Sequence, residues 1–288
     1  MNIKDYYFIA DLLYERSGLV LGEDKAYLVQ SRLAAIMRKW EFAELEALIA
    51  TLRGSPSEDL IADVVESMVT TETFFFRDKI PFEHFRRDVL PDLIENRAQG
   101  RAIRLWSAGC AGGQEAYSLA MILSEMGQEG DGWEAEILAT DLATHSLAKA
   151  RAGLYTQFEV QRGLPITSLL AHFQKAGDKW QVDEGLKRQV TFKPFNLLDS
   201  FEDLPTFDVV FCRNVLRYFD RRTRTRILEA IADRLMPGGL VYLGREETAQ
   251  GLTDRLVAVP GSYDVYAPAP DVDRSSGETE RPALGLAS

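Results

Sequence analysis

The chain is poor in the residues that most often carry chemistry: it has two cysteines and three histidines in 288 residues. Cys110 and Cys212 are too few for a disulfide framework or a metal cluster. Both lie in apolar, strand-end contexts, which predicts buried free thiols. His84, His145 and His172 are scattered without triad or ligand spacing, so structural roles and no metal are expected. Ser107 has no paired base and is not a hydrolase nucleophile. Positive charge is also short: 33 Lys and Arg stand against 44 Asp and Glu, a net charge of −11. That balance argues against general nucleic-acid binding, which needs a basic surface. No apolar run approaches the ~18 residues of a membrane span, and Met1-Asn-Ile-Lys-Asp-Tyr6 lacks a signal-peptide pattern. A cytoplasmic location without membrane insertion is the expectation, and the lack of a heptad seam points to a monomer.

What is present suffices for two domains and a full core, with 46% hydrophobic and 27% charged residues. Residues 1–70 read as a helical domain. Ile9, Leu12 and Leu13 recur at helical spacing before Gly18, and Leu28, Leu33 and Ile36 repeat the pattern over Asp24–Lys39. Ser55-Pro-Ser-Glu58 reads as a capping-box start for Leu60–Val69. Lys25, Arg32, Arg38 and Lys39 share that second helix and form either a docking strip or a solvated face. Residues 71–100 are a linker, Thr71-Glu-Thr-Phe-Phe-Phe-Arg77, and a helix over about 81–96.

From residue 101 to 267 the pattern alternates. Strands are predicted at 103–108, 135–140, 189–194, 208–212, Leu240–Gly244 and Tyr263–Ala267. Helices are predicted near 114–126, 144–151 and 221–235, the last ending at Pro237-Gly-Gly239. Such alternation implies a doubly wound, mostly parallel α/β sheet with its ligand at the carboxyl ends of the strands. Residues 268–288 have the composition of a disordered tail.

The most informative run is Ile103–Met121, a strand that passes through Gly109, Gly112 and Gly113 into a helix. Glycines there admit positive φ and close approach of a ligand to the main chain. Glu115 beside the turn argues against a pyrophosphate and for a ligand with a positive end, such as S-adenosylmethionine. Asp141 ends the second strand and can either accept ribose hydroxyls or cap the next helix. Asn196 can face an adenine edge or serve as a turn residue. Arg213 and Asn214 follow the apolar Val209–Phe211, and Tyr218 lies four residues on; a capping Asn and a half-buried Tyr are the alternative there.

Together these residues resemble the chemotaxis receptor methyltransferases, the CheR family. Thr71-Glu-Thr-Phe-Phe-Phe-Arg77, Trp106-Ser-Ala-Gly-Cys-Ala-Gly-Gly-Gln-Glu-Ala-Tyr-Ser118, Ala139-Thr-Asp141 and Phe211-Cys-Arg-Asn-Val-Leu-Arg-Tyr-Phe-Asp220 carry the resemblance. It spans roughly residues 1–267 and implies a class I, Rossmann-like methyltransferase with a helical N-terminal domain and a small β-subdomain at about 174–194. It further implies methyl transfer from S-adenosylmethionine to glutamate side chains on chemoreceptor cytoplasmic helices, leaving S-adenosylhomocysteine. By matching position it implies cofactor contacts from Thr71, Thr73, Arg77, Gly109, Glu115, Asp141, Asn196, Leu197, Arg213 and Asn214. Arg77 and Tyr218 would border the substrate.

Departures from the family pattern are Gln114 and Ala116 for Glu and Pro, Arg217 for an apolar residue, and Gly244-Arg-Glu-Glu247 for Gly-His-Ser-Glu. Thr71 stands where some members have Asn. The short Trp180–Val190 stretch predicts a subdomain without tight receptor-peptide tethering. A cofactor-sensing module without transferase activity is the competing reading, and a small-molecule or nucleic-acid methyltransferase a more distant one.

Overall fold

The computed structural model describes residues 1–96, 102–127, 134–262 and 264–270. The N-terminal domain has four helices: α1 (Ile3–Ser17), α2 (Ala26–Lys39), α3 (Leu45–Arg53) and α4 (Glu58–Met68). Helix α1 starts under the side chain of Asn2, which accepts from Asp5 N at 2.9 Å. It ends at Gly18, whose φ of 73° permits the N–H to return to Tyr14 O. Ile9, Leu13, Leu33, Leu48 and Val64 form the fully buried centre of this domain.

Two expectations change here. The cap of α4 is Ser57, which accepts from Leu60 N, because the helix begins two residues later than a Ser55 cap requires. Of the basic residues expected on α2, Lys25 lies in the short turn Glu23–Lys25 before it, and Arg32 and Lys39 are engaged, which leaves no continuous free strip. Arg32 donates to the carbonyl of Met68 at the end of α4, where a cation suits the helix dipole. Lys39 pairs with Asp63 at 2.6 Å, while Arg38 is exposed.

The expected helix over 81–96 is present in three pieces: α5 (Ile80–His84), a π turn (Phe85–Val89) and α6 (Leu90–Asn96). It buries Phe82, Phe85, Val89 and Leu90 against the sheet core.

Ten strands follow: β1 (Ala102–Ala108), β2 (Glu134–Asp141), β3 (Leu154–Thr156), β4 (Phe173–Ala176), β5 (Lys179–Val182), β6 (Val190–Pro194), β7 (Phe207–Cys212), β8 (Leu235–Leu243), β9 (Leu256–Ala258) and β10 (Val265–Pro268). Interleaved with them are α7 (Gln114–Gly127), α8 (Thr144–Ala152), α9 (Gln157–Gln161), α10 (Ile166–His172), α11 (Glu184–Gln189) and α12 (Arg221–Arg234). Seven strands form one sheet in the order β6-β2-β1-β7-β8-β10-β9. The first five are mutually parallel, and β10 runs antiparallel to both of its neighbours, β8 and β9. The chain leaves β1 toward β2 and later returns to its other side as β7, so the order reverses between β1 and β7. In parallel sheets that crevice is where ligands bind.

Both faces of the sheet are covered, as a parallel sheet requires. Leu105, Val209 and Phe211 point to one core with Tyr117 and Leu119 of α7. Their neighbours Trp106, Val210 and Cys212 point to the other, with Ile227, Leu228 and Ile231 of α12. Phe211 stacks between Tyr242 at 4.4 Å and Phe82 at 5.7 Å, tying the linker helix to the sheet. Cys110 and Cys212 are buried free thiols, with burial pushing their pKa well up.

The small β-subdomain is a three-stranded antiparallel sheet, β3-β5-β4, spanning residues 154–182. Its expected limits of 174–194 are therefore displaced. Val190–Pro194 pairs in parallel with β2 in the main sheet, and the missing strand is the three-residue Leu154–Thr156, too short to show a period of two. Strand β8 begins at Leu235, before Pro237-Gly-Gly239, and absorbs those residues in a bulge opposite Phe207–Val209. Tyr263 and most of the predicted tail, 271–288, lie outside the described residues. Among the described residues no helix is long and apolar enough to cross a membrane.

Candidate functional site

A cleft opens over the carboxyl ends of β1, β2, β6 and β7, at the reversal in strand order. It encloses about 1080 Å³, open solvent included, and is walled on its far side by Ser17, Leu19, Val69 and Thr70 of the helical domain and linker. Of the residues expected there, Thr73, Arg77, Gly109, Glu115, Asp141, Asn196, Leu197, Arg213, Asn214 and Tyr218 line it. Thr71 does not; its neighbours Thr70 and Glu72 do.

The floor is the turn after β1. Gly109 has φ 76°, and a Cβ there would meet Val215 Cγ2 at 2.4 Å. Gly113 has φ 86° and would press a Cβ onto Ala150 at 2.8 Å. Both positions therefore require glycine. Gly109 N and Cys110 N donate to Thr140 O, locking the turn to the end of β2.

Two buried carboxylates flank the turn. Glu115, in the first turn of α7, accepts from Ser107 Oγ at 2.8 Å and from Arg213 Nη1 at 3.1 Å. Arg213 also donates to Asp78 Oδ2 at 2.6 Å and to the carbonyl of Arg77 at 2.9 Å, which anchors the linker to β7. Burial raises the Glu115 pKa more than Arg213 and Ser107 lower it. Asp141 accepts from Ala111 N and Ala143 N, both at 2.8 Å, and again burial outweighs the hydrogen bonds and raises its pKa. Asp141 is not the cap of α8; that position is Ala143, whose side chain offers no acceptor.

Asn196 takes the turn role left open by the sequence. Its Oδ1 accepts from Leu198 N at 3.0 Å and its Nδ2 donates to Arg16 O at 2.7 Å, bridging to the helical domain. Arg77 donates to Glu72 O at 3.0 Å and lies over the Phe74 ring at 5.6 Å. Among the described residues it has no carboxylate within ion-pair distance. Tyr218 is half-buried, and its carbonyl accepts from Val20 N at 2.9 Å.

Glu247 is a residue that no sequence expectation singled out. It is the retained Glu of Gly244-Arg-Glu-Glu247, and its buried carboxylate organises the cleft wall. Oε2 accepts from Asn214 N and Gly244 N, both at 2.7 Å, and Oε1 from Arg217 N at 3.1 Å. This holds Asn214 at φ 60°, a conformation costly for a residue with a side chain. A second missed residue is Glu66 of α4. Its carboxylate accepts from Thr144 N at 2.8 Å and from the His145 ring at 3.0 Å, capping α8 from the other domain. A Glu 78 residues before the Thr144 N–H that it caps leaves no local signal.

Comparison with known proteins agrees with this geometry. The description "CheR methyltransferase, all-alpha domain" matches residues 4–68, and "CheR methyltransferase, SAM binding domain" matches residues 71–265. The chain belongs to the CheR methyltransferase family. A chemotaxis protein methyltransferase of Pseudomonas putida is 39% identical over 84% of this chain and 89% of its own. One from Pseudomonas aeruginosa is 40% identical over 87% and 92%, and one from Vibrio parahaemolyticus 37% over 89% and 93%.

The cofactor of this CheR family domain is S-adenosylmethionine, and the cleft fits it. Asp141 ends β2 where a carboxylate can accept ribose hydroxyls, and Glu115 is a buried carboxylate whose negative charge is disfavoured by its burial. A ligand with an ammonium and a sulfonium completes that balance. Gly109, Ala111 and Leu197 supply close backbone and an apolar wall beside them.

Proposed function

We propose that the chain methylates glutamate side-chain carboxylates of chemoreceptors, forming glutamate methyl esters. The observation that carries this reading is Arg77: a cation lining the cleft that has no carboxylate partner among the described residues, in a protein of net charge −11. It suits an anionic substrate group. The relatives' names as chemotaxis protein methyltransferases support the same reading.

When bound, the cofactor supplies an electrophilic methyl group on its sulfonium. A glutamate carboxylate, with an ordinary pKa of ~4.3, is ionised at neutral pH and needs no general base. This matches a cleft whose described lining has no histidine, lysine or cysteine. The work left to the protein is orientation. Arg77 holds one carboxylate oxygen in a charge-assisted hydrogen bond and leaves the other free to attack. Tyr218 donates a further hydrogen bond and, with Leu19 and Phe219, limits water at the cleft mouth. Arg213 takes no part in this, because Glu115 and Asp78 neutralise it; it sets the position of the Arg77 backbone. The partner is the helical cytoplasmic part of the receptor.

The direct test incubates the protein with labelled S-adenosylmethionine and receptor-containing membranes, then maps the modification by mass spectrometry. Base-labile methyl esters on receptor glutamates are expected. Methyl groups found only on nitrogen, or no transfer to any receptor despite cofactor binding, would refute the reading.

A further inference from the structure

Among the described residues three arginines line the cleft, and they are not equivalent. Arg213 is buried, with only 1% of its side chain exposed, and is neutralised by two carboxylates. Arg77 is assigned to the reacting carboxylate. The third, Arg217, is 37% exposed at the mouth, next to Tyr218 in the turn Leu216–Tyr218. Its backbone is fixed, since its N–H donates to the buried Glu247. Its guanidinium is not: its one ion pair among the described residues is with Glu246, 78% exposed, at 3.5 Å. A pair so long and so exposed contributes little and is readily exchanged.

The surroundings extend the same charge. Helix α12 opens with Arg221-Arg222-Thr-Arg224 and has no acidic residue in its first turn. Cations at a helix N-terminus oppose the dipole, so this arrangement does not serve the helix. Arg221 and Arg224 are turned to the carbonyls of Gly251 and Phe219, leaving Arg222 exposed beside the Asp220 cap. In an acidic protein this is a local cationic rim next to the cleft mouth.

We infer that Arg217 is a specificity residue that recognises a second, flanking carboxylate on the substrate segment, exchanging Glu246 for it as the reacting glutamate enters against Arg77. This rests on the glutamate reading above. It makes the preferred substrate an acidic stretch rather than an isolated glutamate.

The test measures initial rates of methyl transfer to receptor-containing membranes in which the acids flanking the methylated glutamate are kept, or changed to Gln or Lys. Arg217→Leu should raise KM for the acidic receptor by roughly 3- to 5-fold, the effect of one rim charge pair, with less change on the Gln-flanked receptor. Arg217→Lys should restore most of the loss, and Arg217→Glu should favour the Lys-flanked receptor over the acidic one. Equal effects of Arg217→Leu on all three receptors, or no effect on any, would overturn the inference while leaving glutamate methylation intact. Failure of the unaltered protein to label any receptor would instead overturn the underlying reading, and this inference with it.

Discussion

Arg213 and Glu115, 98 residues apart in the chain, meet at 3.1 Å beneath the cleft, and the same guanidinium holds Asp78 at 2.6 Å. One buried cation thus joins β7, α7 and the linker. Arg213→Met keeps the volume but leaves Glu115 buried without its counter-charge. We predict a loss of about 3 kcal/mol in folding stability by urea unfolding. Cofactor binding by calorimetry should be lost as well, since the Arg77 carbonyl loses its anchor.

The raised pKa of Glu115 gives a pH dependence of definite sign. The native state holds the Glu115 proton to higher pH than the unfolded chain does. Its contribution to stability is therefore full below the unfolded pKa and lost as pH rises through the raised native value. Binding of a cationic ligand runs the other way, because it needs the ionised form. Cofactor affinity should fall with decreasing pH at a point above the ordinary carboxylate range, and Glu115→Gln should weaken binding at neutral pH while flattening that limb. Asp141 shares the direction of shift, so part of the limb should remain in Glu115→Gln.

Glu247→Gln replaces one of two accepting oxygens with an NH₂ that faces backbone donors. The strained Asn214 and the turn before Tyr218 should relax. A roughly tenfold rise in the dissociation constant for S-adenosylhomocysteine is expected, the scale of one unsatisfied buried N–H. A lower kcat at saturating cofactor should accompany it.

The architecture was largely legible in the sequence because the apolar runs of the five parallel strands are mostly separated by amphipathic helices or by turn residues. Short elements escaped, among them α3, α9, α10 and α11. Strands Leu154–Thr156 and Leu256–Ala258 have three residues each, and the π turn at Phe85–Val89 leaves the helical pattern intact. The site was legible where motif residues touch the cleft themselves, as Glu115 and Asp141 do. It was not where a residue acts through the backbone of another. Glu247 carries no mark of the backbone donors it binds, and Glu66 none of the helix it caps. Asn196 shows the converse: a residue placed correctly on the cleft wall whose amide is engaged with Leu198 N and Arg16 O.

The helical domain forms part of the site wall as well as a potential docking surface. Glu66 supplies the cap that Ala143 cannot, and burial, which raises its pKa, is outweighed by hydrogen bonds from His145 and Thr144 that hold it below its ordinary value. This contribution is present above the unfolded pKa and is lost as pH falls through the lowered native one. Glu66→Ala should cost about 1 kcal/mol, typical of a lost cap, and speed amide exchange at the start of α8 relative to its centre. Deleting residues 1–70 would remove cleft residues Ser17 and Leu19 as well, so loss of activity on deletion would report the wall and the docking surface together.

The proposed role of Arg77 in orienting a carboxylate for methyl transfer is tested most directly by comparing the unaltered protein with Arg77→Ala on receptor-containing membranes at saturating labelled cofactor. Base-labile label is expected from the unaltered protein, with a kcat roughly 10- to 100-fold lower in the variant, the scale of one hydrogen bond to a charged group. Near-equal turnover of the two proteins, or label that resists base, would contradict it.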